Sequence, residues 1–340
     1  MEDSRQTILH SWLQRNLAPV DFTVSKLAGD ASFRRYFRVQ QAEKTFVVMD
    51  APPEKEDCRP FIAIAKALAK QGIKVPDVLA ADLELGFLLL TDLGDSLYLA
   101  ELNATSANHL YEQALAVVPR MQACTKVKDW TLEQFGQEII VRELQLFPDW
   151  FLTKHLQLAD SQAITTLLNK TFTHLIAVAN QQPQVFTHRD YHSRNLLCLP
   201  QAEVGVLDFQ DAVWGPIVYD AVSLLRDCYI VWPSAEVLRW TTRAYEHCLD
   251  EGLLKNPSKD QFLFWFDLVG VQRHLKVLGI FARLFHRDGK TGYLQDLPRI
   301  AQYIMDVSSN HSELKDLHDF FQTEIAYKIP EANAKHLGSS

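Results

Sequence analysis

The sequence predicts an α+β chain in which a small antiparallel sheet with one helix precedes a larger, mainly helical region. Three observations predict it. Short runs rich in Val, Phe and Tyr fill the stretch from Phe22 to Thr91. Apolar residues at three- and four-residue spacing take over from Ser106. Between Val185 and Asp211 that pattern is interrupted by a polar loop, a short apolar hairpin and a terminal carboxylate.

Taken in order, Asp3 or Ser4 can cap a first helix with Ile8, Leu9, Trp12 and Leu13 on one stripe. FTVSKL (Phe22 to Leu27), RYFRVQ (Arg35 to Gln40) and KTFVVMD (Lys44 to Asp50) read as three antiparallel strands, the first two joined by a glycine turn. Pro52 and Pro53 break the run. A helix from about Asp57 to Gln71 turns Phe61, Ile64, Ala65 and Leu68 inward and ends at Gly72. Val78 to Ala81 and Phe87 to Thr91 add two strands. Residues 1–92 are thus expected as one lobe, with the hinge at Asp92-Leu93-Gly94-Asp95. Residues 93–330 form the expected second lobe, with helices at 106–124, 131–146, 161–180, 217–227, 234–251, 259–286, 293–309 and 311–327. Residues 331–340 are expected as a polar, mobile tail.

A chain of 340 residues, 47% hydrophobic and 22% charged, is long enough for two lobes with ordinary cores. Its net charge of −8 argues against nucleic acid or an anionic membrane as partner. Five cysteines without paired spacing fit reduced thiols in a cytoplasm. The polar start MEDSRQTILH is no signal peptide, and no apolar run approaches a membrane span.

The chemistry concentrates in VFTHRDYHSRNLLCLPQAEVGVLDFQD, Val185 to Asp211. His188-Arg189-Asp190 followed by Asn195 has the H-R-D-x-x-x-x-N spacing of a kinase catalytic loop. Asp208-Phe209 stands where kinases carry D-F-G, with Gln210 in place of the glycine. Phosphoryl transfer from ATP needs these types. One carboxylate, Asp190, orients the acceptor hydroxyl and takes its proton. Asn195 and Asp208 offer the hard oxygen ligands that Mg²⁺ prefers. The small sheet with one helix then reads as a kinase small lobe, and the fold as protein-kinase-like and bilobal. His188 reads as a structural residue that packs under the loop. His192 reaches the acceptor or is solvated.

The nucleotide side is marked less sharply. Gly29, Asp30, Ala31, Ser32 and Phe33 form the turn expected to cover the phosphates, through backbone N–H groups. It lacks G-x-G-x-x-G, and an ordinary hairpin turn has the same local chemistry. Kinases carry Lys on the third strand in V-A-I-K, whereas here the run is V-V-M-D with Met49. Another cation must offset the phosphate charge, and Arg34 or Arg38 is placed to do so, if neither is simply solvated. Asp92 and Gly94 lie on the adenine side, where backbone groups do most of the binding.

From about Phe22 to Arg299 the chain resembles the aminoglycoside phosphotransferase-type small-molecule kinases. More narrowly, GDASFRRYFRV (Gly29 to Val39), VMDAPPEKED (Val48 to Asp57), RELQLFPDWF (Arg142 to Phe151), THRDYHSRNLL (Thr187 to Leu197), LDFQDAVWGPIVYD (Leu207 to Asp220) and QRHLKVLGIFARL (Gln272 to Leu284) resemble the anomeric kinases of bacterial cell-wall recycling. The resemblance implies that ATP phosphorylates the C1 hydroxyl of N-acetylmuramate or N-acetylglucosamine. It also implies that Asp220 braces the catalytic loop. A sugar with a lactyl carboxylate needs polar forks and a cation, for which Glu143, Arg189, Arg273, His274 and Arg283 are candidates beside helix-surface ion pairs. The chain is expected to act as a monomer. An aminoglycoside or choline acceptor keeps the fold and changes the substrate. Met49 makes a nucleotide-binding pseudokinase conceivable, but Asp190, Asn195 and Asp208 together argue against it. A metal hydrolase built on His188, Asp190, His192 and Asp208 leaves Asn195 unexplained.

Overall fold

The computed structural model describes residues 2–27, 33–255 and 257–338. In chain order the elements are α1 (Glu2–Leu17), β1 (Thr23–Lys26), β2 (Arg35–Gln41), β3 (Lys44–Asp50), α2 (Arg59–Lys70), β4 (Val78–Asp82), β5 (Phe87–Thr91) and α3 (Tyr98–Glu101). Next come α4 (Ala107–Gln122), α5 (Gln137–Leu144), a π-helical segment (Phe147–His155), α6 (Gln162–Asn180), β6 (Gln184–Thr187), β7 (Leu196–Cys198), β8 (Val204–Val206) and β9 (Val213–Pro216). The rest is helical: α7 (Tyr219–Leu225), α8 (Ser234–Asp250), α9 (Lys259–Asp288), α10 (Leu297–Ser308), α11 (Lys315–Phe320) and α12 (Lys328–Leu337). These divide into two compact units. One holds Met1–Glu101, Cys124–Leu132 and Arg194–Ala212, and the other Leu102–Ala123, Glu133–Ser193 and Val213–Ser340.

The first unit is built on an antiparallel sheet in the order β1-β2-β3-β5-β4. Register sorts its side chains: Phe37 pairs with Val48 and Val48 with Leu89, so these share a face. Leu9, Trp12, Leu13 and Leu17 of α1 close over that face. Leu13 is wholly buried, and its truncation to Ala would cost about 2–5 kcal/mol. The opposite face carries Tyr36, Arg38 and Met49, since Tyr36 pairs with Met49 across the ladder. The expected cap at Asp3 or Ser4 is corrected: α1 begins at Glu2, so both lie inside it, and Ile8 points outward at 45% exposure.

In α2, Phe61, Ile64, Ala65 and Leu68 are buried as the spacing predicts. Gly72 sits at φ 70°, and the bonds Gly72 N to Ala69 O and Ile73 N to Leu68 O end the helix in a Schellman turn. The β7–β8 hairpin belongs to this unit, tied by Val206 N to Lys74 O and Cys198 N to Ser96 O, both 2.8 Å.

In the second unit, α9 is 30 residues long, and Leu268 to Gly279 are buried without interruption. A β-carbon added at Gly279 would lie 2.3 Å from the Leu146 carbonyl carbon, so only glycine lets α9 approach the start of the π-helical segment. β6 pairs antiparallel with β9, which no periodicity marks because each has four residues. Residues 328–337, partly assigned above to a tail, form α12 with Ile329 buried. No helix among the described residues is long and apolar enough to cross a membrane.

Candidate active site

The loop bearing Asp190 leaves β6 in the second unit, and its backbone is held by α7. His188 N and Arg189 N donate to Asp220 Oδ2 and Oδ1, at 2.8 and 3.0 Å. Ser223 Oγ donates to Arg189 O at 3.0 Å. These bonds hold Arg189 at φ 75°, a left-handed conformation that residues other than glycine rarely adopt. Burial pushes the Asp220 carboxyl up to about 6, with His188 and the two N–H groups working the other way. His188 is wholly buried, and its Nδ1 accepts from Asp190 N at 3.3 Å. Farther on, Ser193 N donates to Asp227 Oδ2 at 2.9 Å.

Asp190 is surrounded by cations. Burial alone would raise its carboxyl, but Lys276, His192, Arg189 and Arg273 outweigh burial and bring it down to about 2. The cations are themselves organised by Glu143 on α5. Arg189 pairs with Glu143 Oε1, Lys276 Nζ lies 3.1 Å from the same oxygen, and Gln272 Nε2 donates to Oε2 at 3.3 Å. Burial works against the Glu143 charge, yet Lys276 and Arg189 hold it below the usual range. Burial likewise opposes the Lys276 charge, and Glu143 reverses the balance, so Lys276 stays protonated. Arg273 is 3% exposed, with Nη1 3.6 Å from Cys228 Sγ. Burial lowers His192 in spite of Asp227 and Asp190.

In the first unit, the β7–β8 hairpin pairs Leu196 with Val206. Leu207 N donates to Asn195 O at 2.9 Å, which carries the ladder one step further. Asn195 and Asp208 therefore flank the same end of one hairpin. Asp208 has φ 60°, and Gln210 Nε2 donates to Asp208 Oδ1 at 2.8 Å and to Asp211 Oδ2 at 3.2 Å. Gln210 thus holds the carboxylate from the position where kinases have glycine. Phe209 is buried against Phe61 of α2, their ring centroids 4.8 Å apart. An amide oxygen and a carboxylate at one hairpin end suit a hard cation such as Mg²⁺.

Arg34 Nη2 lies 2.8 Å from Glu56 Oε2, and both side chains are largely buried. Burial first, and then Asp208, Glu56 and Cys58 against Arg34, raises the Tyr36 hydroxyl, which puts these groups in one neighbourhood. Arg38 has different partners: Asp92 at 2.7 Å and Asp95 at 2.9 Å. Asp92 Oδ1 also accepts from Gly94 N at 2.9 Å, with Gly94 at φ 86°. Arg35 and Arg5 both pair with the buried Asp50. Phe33 is 63% exposed, with Lys55 Nζ 5.4 Å from its ring. The expected phosphate turn at Gly29, Asp30, Ala31 and Ser32 lies outside the described residues.

Of the expected acceptor residues, Glu143, Arg189, His192 and Arg273 gather around Asp190. Arg283 does not. It lies ten residues beyond Arg273 on α9, about 15 Å along the axis, and burial with Arg287 and Asp288 sets its charge. Spacing gives no sign of Lys276 or Gln272, although both stand on the face of α9 that carries Arg273. Glu56, which has no assignable partner once Lys is missing, has one in Arg34.

The profile of the phosphotransferase enzyme family matches residues 23–255. An N-acetylmuramate/N-acetylglucosamine kinase of Pseudomonas aeruginosa is 45% identical over 290 residues, 85% of each chain. One of Neisseria meningitidis is 40% identical over 319 residues, 92% of this chain and 94% of the relative. An ethanolamine kinase of Plasmodium vivax superposes with a TM-score of 0.64 at 11% identity, over 88% of this chain and 87% of that one. That likeness carries the fold alone, which is protein-kinase-like as expected.

Proposed function

The chain belongs to the phosphotransferase enzyme family, and from that premise we propose that it is an ATP-dependent kinase of amino sugars, phosphorylating the anomeric hydroxyl of N-acetylmuramate or N-acetylglucosamine. The observation that carries the reading is the state of Asp190. Four cationic or imidazole groups keep it ionised against its own burial, which a proton-accepting carboxylate requires. Asp190 orients the acceptor hydroxyl and accepts its proton as the phosphoryl group transfers from ATP. Asp220 sets the loop backbone that aims it. Arg189, Arg273, His192 and Glu143 form the polar wall for the sugar, and Lys276, the residue spacing does not mark, joins them.

Asn195 and Asp208 would hold Mg²⁺, which neutralises negative charge on the triphosphate when bound. Arg34 supplies the cation that Met49 does not, and Glu56 positions it as an acidic partner positions the kinase lysine. Arg38 is committed to Asp92 and Asp95, so it shapes the hinge and does not grip phosphate. Asp92 and Gly94 stand on the adenine side. All five cysteines are free thiols, which supports a reducing, cytoplasmic setting.

The test is ATP consumption with N-acetylmuramate, N-acetylglucosamine, kanamycin and choline, with NMR of the product. Phosphate is expected on C1 of an amino sugar. A 6-phosphate product, or turnover of a cationic acceptor alone, overturns the assignment. Asp190→Asn is expected to lower kcat by about 10²- to 10⁴-fold while nucleotide binding persists. Near-normal turnover in that variant would remove Asp190 from the role.

A further inference from the structure

Far along α9 from Arg273, three histidines meet. His155 closes the π-helical segment, His286 is in the last turn of α9, and His336 is in the last turn of α12. One ring nitrogen from each lies within 4.8 Å of the other two. None of the three belongs to the kinase site described above.

The hydrogen bonds constrain where the ring protons of His155 and His336 sit. Asn333 Nδ2 donates to Leu294 O at 2.9 Å, so its Oδ1, 2.8 Å from His155 Nε2, must accept. His155 therefore carries its proton on Nε2, and Nδ1 keeps a lone pair. That Nδ1 is buried with no hydrogen-bond partner, in a residue 1% exposed. His286 Nε2 is a second buried nitrogen without one. His336 Nε2 lies 3.1 Å from His155 O, and a carbonyl only accepts, so in the neutral ring Nδ1 holds the lone pair.

A buried lone pair on His155 and a second buried ring nitrogen on His286, neither with a hydrogen-bond partner, cost free energy unless something pairs with them. A metal ion does. The tautomer of His155 is set by an outer partner, as in built metal sites. Three helix C-termini converge here, and each presents the negative end of its dipole, which favours a cation. Among neighbouring cations, Lys335 is bonded to Gln157 and Arg287 to Asp288, while Lys154 acts on His286.

We propose that His155, His286 and His336 form a divalent transition-metal site, of the kind imidazoles make for Zn²⁺, fastening α12 to α9 and the π-helical segment. Three imidazoles leave a fourth position for water. With Zn–N near 2.0–2.1 Å, tetrahedral nitrogens stand roughly 3.4 Å apart, so binding draws the rings together by side-chain rotation.

The test uses the full-length chain, stripped with a chelator and titrated with ZnCl₂ and with CoCl₂. One equivalent of Zn²⁺ is expected to bind and to raise the melting temperature, and Co²⁺ is expected to give the visible absorption of a tetrahedral nitrogen site. His286→Ala and His336→Ala, at partly exposed positions, should weaken binding by more than about 100-fold and lose the Co²⁺ band, with kinase turnover unchanged. No stoichiometric Zn²⁺ on the wild-type chain at micromolar metal overturns the site. So does equal affinity in both variants.

Discussion

Asp190 and Arg34 are each defined by a charged neighbour that the sequence does not place beside them. Around Asp190 the decisive partner is Lys276, whose own charge is held by Glu143 on a different helix. For Arg34 it is Glu56, between β3 and α2. Arg34 and Arg38 compete on paper for the missing lysine's task, and geometry separates them. Arg35 is occupied by Asp50, Arg38 by Asp92 and Asp95, and Arg34 shares the neighbourhood of Asp208. A charge-assisted contact contributes about 1.5–3 kcal/mol. Arg34→Met is therefore expected to lower kcat/KM for ATP by about 10- to 150-fold and leave the KM for sugar unchanged. Arg34→Lys should recover part of the loss, and Glu56→Gln should lose less than Arg34→Met. Steady-state kinetics with ATP varied decides it: an Arg34→Met enzyme with an unchanged kcat/KM for ATP removes Arg34 from the phosphates.

At the scale of elements, α9 shows what periodicity reports and what it does not. Apolar spacing marks the helix from Lys259 onward and its inward stripe. It gives no reason to bury Lys276, because a lysine in an apolar run ordinarily extends its head to water. Glu143 on α5 turns it inward, and that pairing is a tertiary fact. Gly279 is a second case. In a helix glycine normally weakens the element, yet here it admits the Leu146 backbone. Gly279→Ala keeps the helix and gains propensity, but its methyl group meets that backbone. Chemical denaturation should show a loss of about 1–3 kcal/mol or more. A variant as stable as the wild type would mean that the two elements part without cost.

For the molecule as a whole, buried titratable groups link stability to pH. Burial, with Arg226 and Arg273 adding to it, lowers His274 to about 3 while its ring stacks on Tyr303. An unfolded histidine titrates near 6.5, so between about 3 and 6.5 the unfolded chain holds a proton that the folded chain refuses. Stability therefore falls as pH drops through that window, by about 1.4 kcal/mol per unit. Asp220 acts oppositely, because its raised value of about 6 makes the folded chain the better proton acceptor above the unfolded value. A comparison with His274→Gln cancels the Asp220 contribution. From pH 7 to pH 5 the wild type should lose about 2 kcal/mol more than the variant in urea titrations. Equal losses would show that the imidazole does not stay neutral inside.

The sequence by itself determined most of the elements, though not β6, β9 or α12, and the chemistry class. Hydrophobic period fixes helices and strands locally, and the His188-Arg189-Asp190 to Asn195 spacing lies within one loop, where chain connectivity alone keeps the residues near one another. The β7–β8 hairpin was legible for the same reason, since a turn joins its strands. Tertiary structure alone decided which ions pair. Arg34 with Glu56, Lys276 with Glu143, and the three histidines from separate helices all join residues far apart in the chain. A charged side chain carries no periodic signal of its partner, because the Coulomb attraction that pairs it depends on distance in space and on exclusion of water, and neither is written in the order of residues.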